Sequence, residues 1–288
     1  MTNPLLADWN TPFGIAPFNR ISDDDFAPAL EEALTAHRAE IDAIAENPAA
    51  PSFANTIEAL EASGDALDKV LSVFFTVAGA DSNGAREALQ RDFSPKLAAH
   101  QSAISGNTKL FARIAAIWEA RDTLDLTEEQ ARVLMLTHRG FVRSGAALAG
   151  AAAERMKEIK ARLAVLGTQF TQNLLADERD WFMPLSEGDL TGLPDFALDA
   201  ARAAGKEKGA EGPVVTLSRS LITPFLQFSD RRDLREKAFR AWEARGANGG
   251  ETDNRDIAAE TLALRKERAE LLGYENFAAY KLETEMAK

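Results

Sequence analysis

AAAERMKEIKARLAVLGTQFTQNLLADERDW, residues 151–181, is the stretch that decides the fold. Met156, Ile159, Leu163, Leu166, Phe170 and Leu174 recur there at three- and four-residue steps, with charged residues between them. That period belongs to one long amphipathic helix with a single buried stripe, and no proline interrupts it.

The same period fills most of the chain before it. From Asp24 to Glu46 the stripe is Phe26, Leu30, Leu34, Ile41 and Ile44; Ser22 or Asp23 supplies the N-cap, and Asn47-Pro48 stops the helix. A second helix is expected from Asn55, with stripe residues Ile57, Leu60, Leu67, Val70, Leu71, Phe74 and Val77, and with Gly64 as a weak point costing about 1 kcal/mol relative to Ala. A third carries Leu89, Phe93, Leu97 and Ile104, where Pro95 predicts a kink or a fresh start. Leu110, Ile114, Ile117 and Trp118 mark a fourth, and Thr127-Glu128-Glu129-Gln130 is a capping box opening a fifth.

The pattern changes after Trp181. Gly188, Gly192, Pro194, Gly205, Gly209, Gly212 and Pro213 surround one helical piece near Phe196 to Ala204 and one strand-like run, Val214-Val215-Thr216-Leu217, so a short β-hairpin insertion is expected over 182–222. Helical period returns with Leu234, Ala238, Phe239 and Trp242, pauses at Gly246–Gly250, and resumes with Ile257, Leu264 and Leu271 before a C-cap at Gly273. A last helix is expected near Asn276 with Phe277, Tyr280 and Met286, and the chain stops at Lys288 without a terminator, which reads as a cut. The fold class is therefore all-α with a small hairpin, organised as a helical block over 1–181, the insertion over 182–222 and C-terminal helices over 223–288. No fixed-period repeat points to a solenoid.

A chain of 288 residues, 45% hydrophobic, buries roughly three-quarters of its unfolded-state surface and so builds a true core. It has no cysteine, which excludes disulfides, a catalytic thiol and thiolate zinc sites, and makes a reducing, cytoplasmic setting the simplest expectation. Met1 to Asn19 lacks the basic and apolar regions of a signal peptide, and no run is long enough to span a bilayer. A net charge of -12 repels phosphate backbones and anionic lipid, so neither nucleic acid nor membrane is an expected partner.

Catalytic motifs are sparse. His37, His100 and His138 are the only histidines, 63 and 38 positions apart, so none forms the i, i+4 pair that sets two imidazoles on one helix face. Each sits on an apolar stripe, as a structural histidine does; an enzyme using all three is the weakest reading. There is no G-x-S-x-G elbow, and Ser144-Gly145 falls within helical pattern. Gly145 to Gly150 has the gap of a phosphate loop, but Ala151 and Ala152 replace the Lys and Ser/Thr that would meet phosphate and Mg²⁺. Glu31-Glu32 and Glu128-Glu129 are adjacent carboxylates on solvated faces, without the burial that raises a catalytic pKa.

Longer strings carry a resemblance. Asn3-Pro4-Leu5-Leu6 with Pro12-Phe13, Phe53 to Glu61, Leu110-Phe111-Ala112-Arg113, Phe141 to Ala146, Leu166 to Asn173, Arg232 to Lys237, Asp253-Asn254-Arg255 and Leu271 to Ala278 together resemble the N-terminal half of the M3 family of zinc metallopeptidases. The Arg143-Ser144-Gly145-Ala146 and Leu166-Gly167-Thr168-Gln169-Phe170 strings resemble its bacterial dipeptidyl carboxypeptidase branch more closely than the oligopeptidase A branch. The resemblance implies a channel of helical lobes that admits short peptides, with zinc held by an H-E-x-x-H helix and a later Glu.

Those motifs are not in this sequence, so no catalytic, cofactor-binding or metal residue is assigned here. The expected function is the channel-forming part of a zinc peptidyl-dipeptidase that releases C-terminal dipeptides, inactive without its catalytic domain, which is its expected partner. The alternative is a free-standing helical domain that binds peptides or proteins without enzymatic activity. Surfaces meant for the catalytic part would associate, so self-association through the final helices is also expected.

Overall fold

The structure, a computed structural model, describes residues 3–81 and 83–287; the end at Lys288 lies outside them. The chain divides into two compact units, Met1–Ala153 and Glu154–Lys288.

In the first unit, α1 (Asp23–Ala45) starts at Ser22, whose N–H and hydroxyl both donate to the Asp25 carboxylate at 2.7 Å. Its stripe is buried as the spacing predicts, and it serves two cores. The first half, through Phe26 and Leu30, packs on α3 (Asp65–Ala80) and α4 (Gly84–Ser105); Phe74 meets Phe26 edge-on at 5.2 Å and Phe93 at 4.8 Å. The second half, through Ile41 and Ile44, packs on α5 (Thr108–Ala120) and α6 (Glu128–Ser144) with Leu110, Ile114, Ile117, Leu134 and Phe141. Each such side chain taken fully from water contributes about 1.5–3 kcal/mol. Thr127 and Gln130 form the expected capping box at the start of α6.

Two expectations fail in this unit. The helix from Asn55 is not continuous: a π-helical turn (Phe53–Glu58) leads into α2 (Ala59–Glu61), and the chain then bends at Gly64 before α3. Gly64 has φ +84°, its N–H donates to the Glu40 carboxylate at 2.7 Å, and an added Cβ would lie 3.0 Å from the His37 ring. The residue that reads as a weak point is the one that ends the helix. Pro95, by contrast, neither breaks α4 nor restarts it. Pro95 and Arg91 are both exposed, so the turn that lacks a helical hydrogen bond lies on a solvated face of α4.

The second unit takes up most of α7 (Gly150–Asp180). Ile159 and Leu166 pack on Ile257 and Leu264 of α11 (Arg255–Leu271), and Arg155–Glu267 and Arg162–Glu260 bridge the same two helices. Seven residues forward on one helix meets seven back on the other, so the pair is antiparallel. β1 (Phe182–Pro184) pairs antiparallel with β2 (Val214–Thr216), with Met183 opposite Val215. The expected ladder is present, closed by an excursion through α8 (Asp195–Glu207) and not by a tight turn.

One helix had no sequence expectation. α9 (Arg219–Phe228) carries Pro224 inside it and follows a glycine-rich run, which masks the stripe of Leu221, Ile222 and Phe225. α10 (Arg232–Glu243) completes a core of Met183, Leu185, Val215, Leu217, Ile222, Phe225 and Ala238. After α11, Tyr274 N–H bonds the Ala269 carbonyl around Gly273, as a glycine C-cap requires. α12 (Phe277–Leu282) starts at Asn276, whose side chain accepts from Ala279 N–H at 2.8 Å. Met286 lies past this helix and is fully exposed, so it is not on the expected stripe. No helix among the described residues is long and apolar enough to cross a membrane.

Candidate functional site

The three histidines are the chain's few candidates for acid–base or metal chemistry. Helix packing brings two of the three together: His100 Nε2 on α4 lies 3.0 Å from His37 Nδ1 on α1, with the rings 4.9 Å apart. On its other side, His37 Nε2 is 3.3 Å from Ser63 Oγ, and Ser63 donates to the Leu60 carbonyl at 2.7 Å. With its one proton spent on Leu60, Ser63 accepts, so His37 carries its hydrogen on Nε2. His37 Nδ1 is then an acceptor, and His100 donates to it from Nε2. His100 is 5% exposed, and its Nδ1 is buried with no hydrogen-bond partner among the described residues. Burial first, then the neighbouring His37 and Arg38, hold the His100 pKa below its ordinary value.

His138 stands elsewhere in the same unit. Its ring stacks on Trp118 at 4.7 Å and 9°, and Arg121 covers the same indole at 4.3 Å from its centroid. Burial and the Arg121 charge lower its pKa. Two imidazoles with a hydroxyl and a third imidazole apart from them do not make a hydrolytic zinc site, which draws on three converging ligands. Among the described residues no group of three or more His, Asp or Glu could hold a metal. The zinc that the resemblance implies does not fit this chain's own donors, and no step is assigned to it.

Glycine and serine candidates resolve into backbone roles. Gly145 caps α6, with Ala146 N–H on the Phe141 carbonyl at 3.0 Å, and Ser144 Oγ donates to the same carbonyl at 2.6 Å. In the second unit, a cleft of about 490 Å³ is lined by Glu178, Arg179, Glu207, Lys208, Thr216 and Ser218 among others. Its polar groups are largely spent locally: Arg179 on Asp180 at 2.7 and 3.0 Å, Lys208 on the Arg179 carbonyl at 2.6 Å, Glu178 on Arg245, and Thr216 on Ser218 at 3.0 Å. No base converges on a hydroxyl there, so the cleft has a shape and no activated nucleophile.

Two networks that sequence reading passed over are better built. Arg113, 7% exposed, donates to Thr56 Oγ1 at 3.2 Å, to the Asn47 and Ala49 carbonyls at 2.8 and 3.0 Å, and to Asn55 Oδ1 at 2.8 Å. A guanidinium bonded to neutral acceptors ties α5 to the segment that leads into the π-helical turn. In the second unit, Asn254, 3% exposed, bonds the Phe170 carbonyl at 3.0 Å and accepts from Asn173 at 2.9 Å. Asp177 accepts from Gly246 N–H, Asn248 and Thr252, so the loop before α11 is strapped to α7. The signal for Arg113 was present: it shares a face with Leu110, Ile114 and Ile117, where an arginine must be buried and served.

Asn55, Thr56, Arg113, Asn173 and Asn254 all fall within the strings that carry the family resemblance, and comparison with known proteins extends it. Residues 225–288 match the family model for Peptidase family M3. Over all of this chain, a dipeptidyl carboxypeptidase of Salmonella typhimurium is 37% identical and an oligopeptidase A of the same organism 32%. A dipeptidyl carboxypeptidase of Escherichia coli is 35% identical over 99% of the chain. The chain spans 42% of the length of each of these relatives.

Proposed function

Because the chain is a relative of peptidase family M3, we propose that it is the N-terminal, channel-forming part of a zinc metallopeptidase that releases C-terminal dipeptides from short peptides. The observation that carries this reading is the whole-chain identity of 37% to a dipeptidyl carboxypeptidase of which it spans 42%. In this reading residues 1–288 contribute walls, and helices of residues 223–288 lead towards the catalytic part. A cytoplasmic location and short peptide substrates belong to the same proposal.

The test compares the 288-residue chain with a polypeptide extended through an H-E-x-x-H segment. The extended form binds zinc stoichiometrically, releases dipeptides from the C-termini of short peptides and is silenced by a chelator, while the shorter chain does none of these. Dipeptide release by the 288 residues with zinc would end the reading, and saturable peptide binding without cleavage by both forms would favour the free-standing binding domain. Self-association through the final helices is supported by Leu262, Leu282 and Met286, which are 64%, 40% and fully exposed. Light scattering at rising concentration tests it, and a strictly monomeric chain removes that clause.

A further inference from the structure

We propose that His37 and His100 form a proton-sensitive latch that holds α1 to α4 and to the bend between α2 and α3, and that opens when the pair takes up a proton. The inference rests on the direction of the hydrogen bonds. From the Leu60 carbonyl outward, each group accepts from the next: Leu60 from Ser63, Ser63 from His37, His37 from His100. This relay ends at His100 Nδ1, a buried lone pair without a partner among the described residues.

The neutral pair satisfies this arrangement without burying a charge. A proton on His37 goes to Nδ1, the atom that accepts from His100, and sets two N–H groups against each other at 3.0 Å. A proton on His100 goes to Nδ1: the Nε2–H bond to His37 is kept, but the ring becomes a cation in a site that is 5% exposed, with an Nδ1–H that has no acceptor among the described residues. The first event breaks the His37–His100 bond and the second charges a buried ring, so each works against the closed latch, and at Gly64 there is no slack: an added Cβ would already lie 3.0–3.1 Å from three atoms of the His37 ring.

The charges around the pair do not offset the proton. On α1, Arg38 adds its positive field to that of His37 on His100. Glu40, also on α1, is spent on the Gly64 N–H at 2.7 Å. From the α2–α3 bend the pair meets the Ser63 hydroxyl. On α4, Lys96, one turn before His100, is held by Asp92 and Glu31 at 2.8 and 2.5 Å. Acidification therefore loosens the first unit at one identifiable place.

The decisive experiment is nitrogen-15 imidazole spectroscopy of the intact chain between pH 8 and 5, alongside thermal melting of the chain and of the His100→Gln and His138→Gln variants. At pH 8 both His37 and His100 are expected as the Nε2–H tautomer; on acidification the amide signals of Ser63 and Gly64 move together with the His37 and His100 rings. His100→Gln keeps an N–H donor at the Nε2 position but cannot titrate. It is expected to remove part of the loss of melting temperature between pH 7.5 and 5.5 that His138→Gln leaves in place. An Nδ1–H tautomer at His100, or protonation of the pair without any response at Ser63 and Gly64, overturns the latch. Since the spectra need no substitution, a variant that fails to fold does not spare it.

Discussion

The two units solve the same problem in different ways. Both are helical and both tie an irregular segment to a long helix, but Met1–Ala153 does it chiefly through buried groups on neutral acceptors and Glu154–Lys288 through the Asp177 strap and exposed ion pairs beside the buried Asn254. In the first, Arg113 serves two carbonyls, an amide and a hydroxyl, and the histidine pair serves a hydroxyl. In the second, Asp177 gathers three donors from one loop, and Arg155–Glu267 and Arg162–Glu260 lie across helix faces that are about half open to water. Buried hydrogen bonds are hard to replace and insensitive to salt, whereas exposed pairs are weak and screened. The units should therefore respond to different perturbations.

Trp9 and Trp118 report on the first unit and Trp181 and Trp242 on the second, so each can be followed in one chain. The largest expected effect is Arg113→Ala, which removes a buried donor from four acceptors, of which Asn55 Oδ1 keeps the Ser52 N–H, and should cost the first unit about 3–4 kcal/mol in urea unfolding. A loss under about 1 kcal/mol would mean that the network is idle. Asn254→Ala should lower the second unit by about 2 kcal/mol, since the Phe170 carbonyl and the Asn173 amide lose a buried partner. If instead the first unit responds equally, the contrast collapses.

Gly64→Ala should cost about 1–2 kcal/mol through the left-handed backbone alone, more if the His37 ring cannot shift. Its signature is a first unit whose pH dependence also changes.

Acidity sharpens the comparison because all three histidines precede Ala153. His100 and His138 are held below their ordinary 6.5 in the fold, so the unfolded chain takes up protons first. Their stabilising effect is complete above pH 6.5 and is lost as pH falls below it towards the lowered folded-state values. Melting of the first unit should thus fall between pH 7.5 and 5.5 while the second stays level; a parallel fall in both would contradict the assignment. The smallest effect is that of salt. Raising NaCl to about 1 M shortens the screening length to about 3 Å and should weaken the α7–α11 bridges and, in the first unit, exposed pairs such as Lys96–Glu31, each only slightly.

The sequence was most legible where a stripe was long and capped. Phe26 to Ile44, the Thr127 capping box and the 151–181 helix follow from spacing and end chemistry, which act locally. α9 was hidden because Pro224, the sixth of its ten residues, and the glycine-rich approach to it read as breakers, although the buried stripe of Leu221, Ile222 and Phe225 holds the helix around it. Gly64 was misread for the complementary reason: its cost in a helix is local, but its use, room for His37 and an N–H for Glu40, lies on another helix.

Composition, period and the family strings fix, from residues alone, that this chain is helical, acidic and cysteine-free, and that it resembles M3 peptidases while lacking their zinc motif. Those properties need no partner from elsewhere in the chain. The pairing of His37 with His100, the neutral shell around Arg113 and the straps on Asp177 and Asn254 required tertiary structure. Each joins groups tens of residues apart, and the direction of a hydrogen bond or the space beside a glycine exists only once the helices have packed.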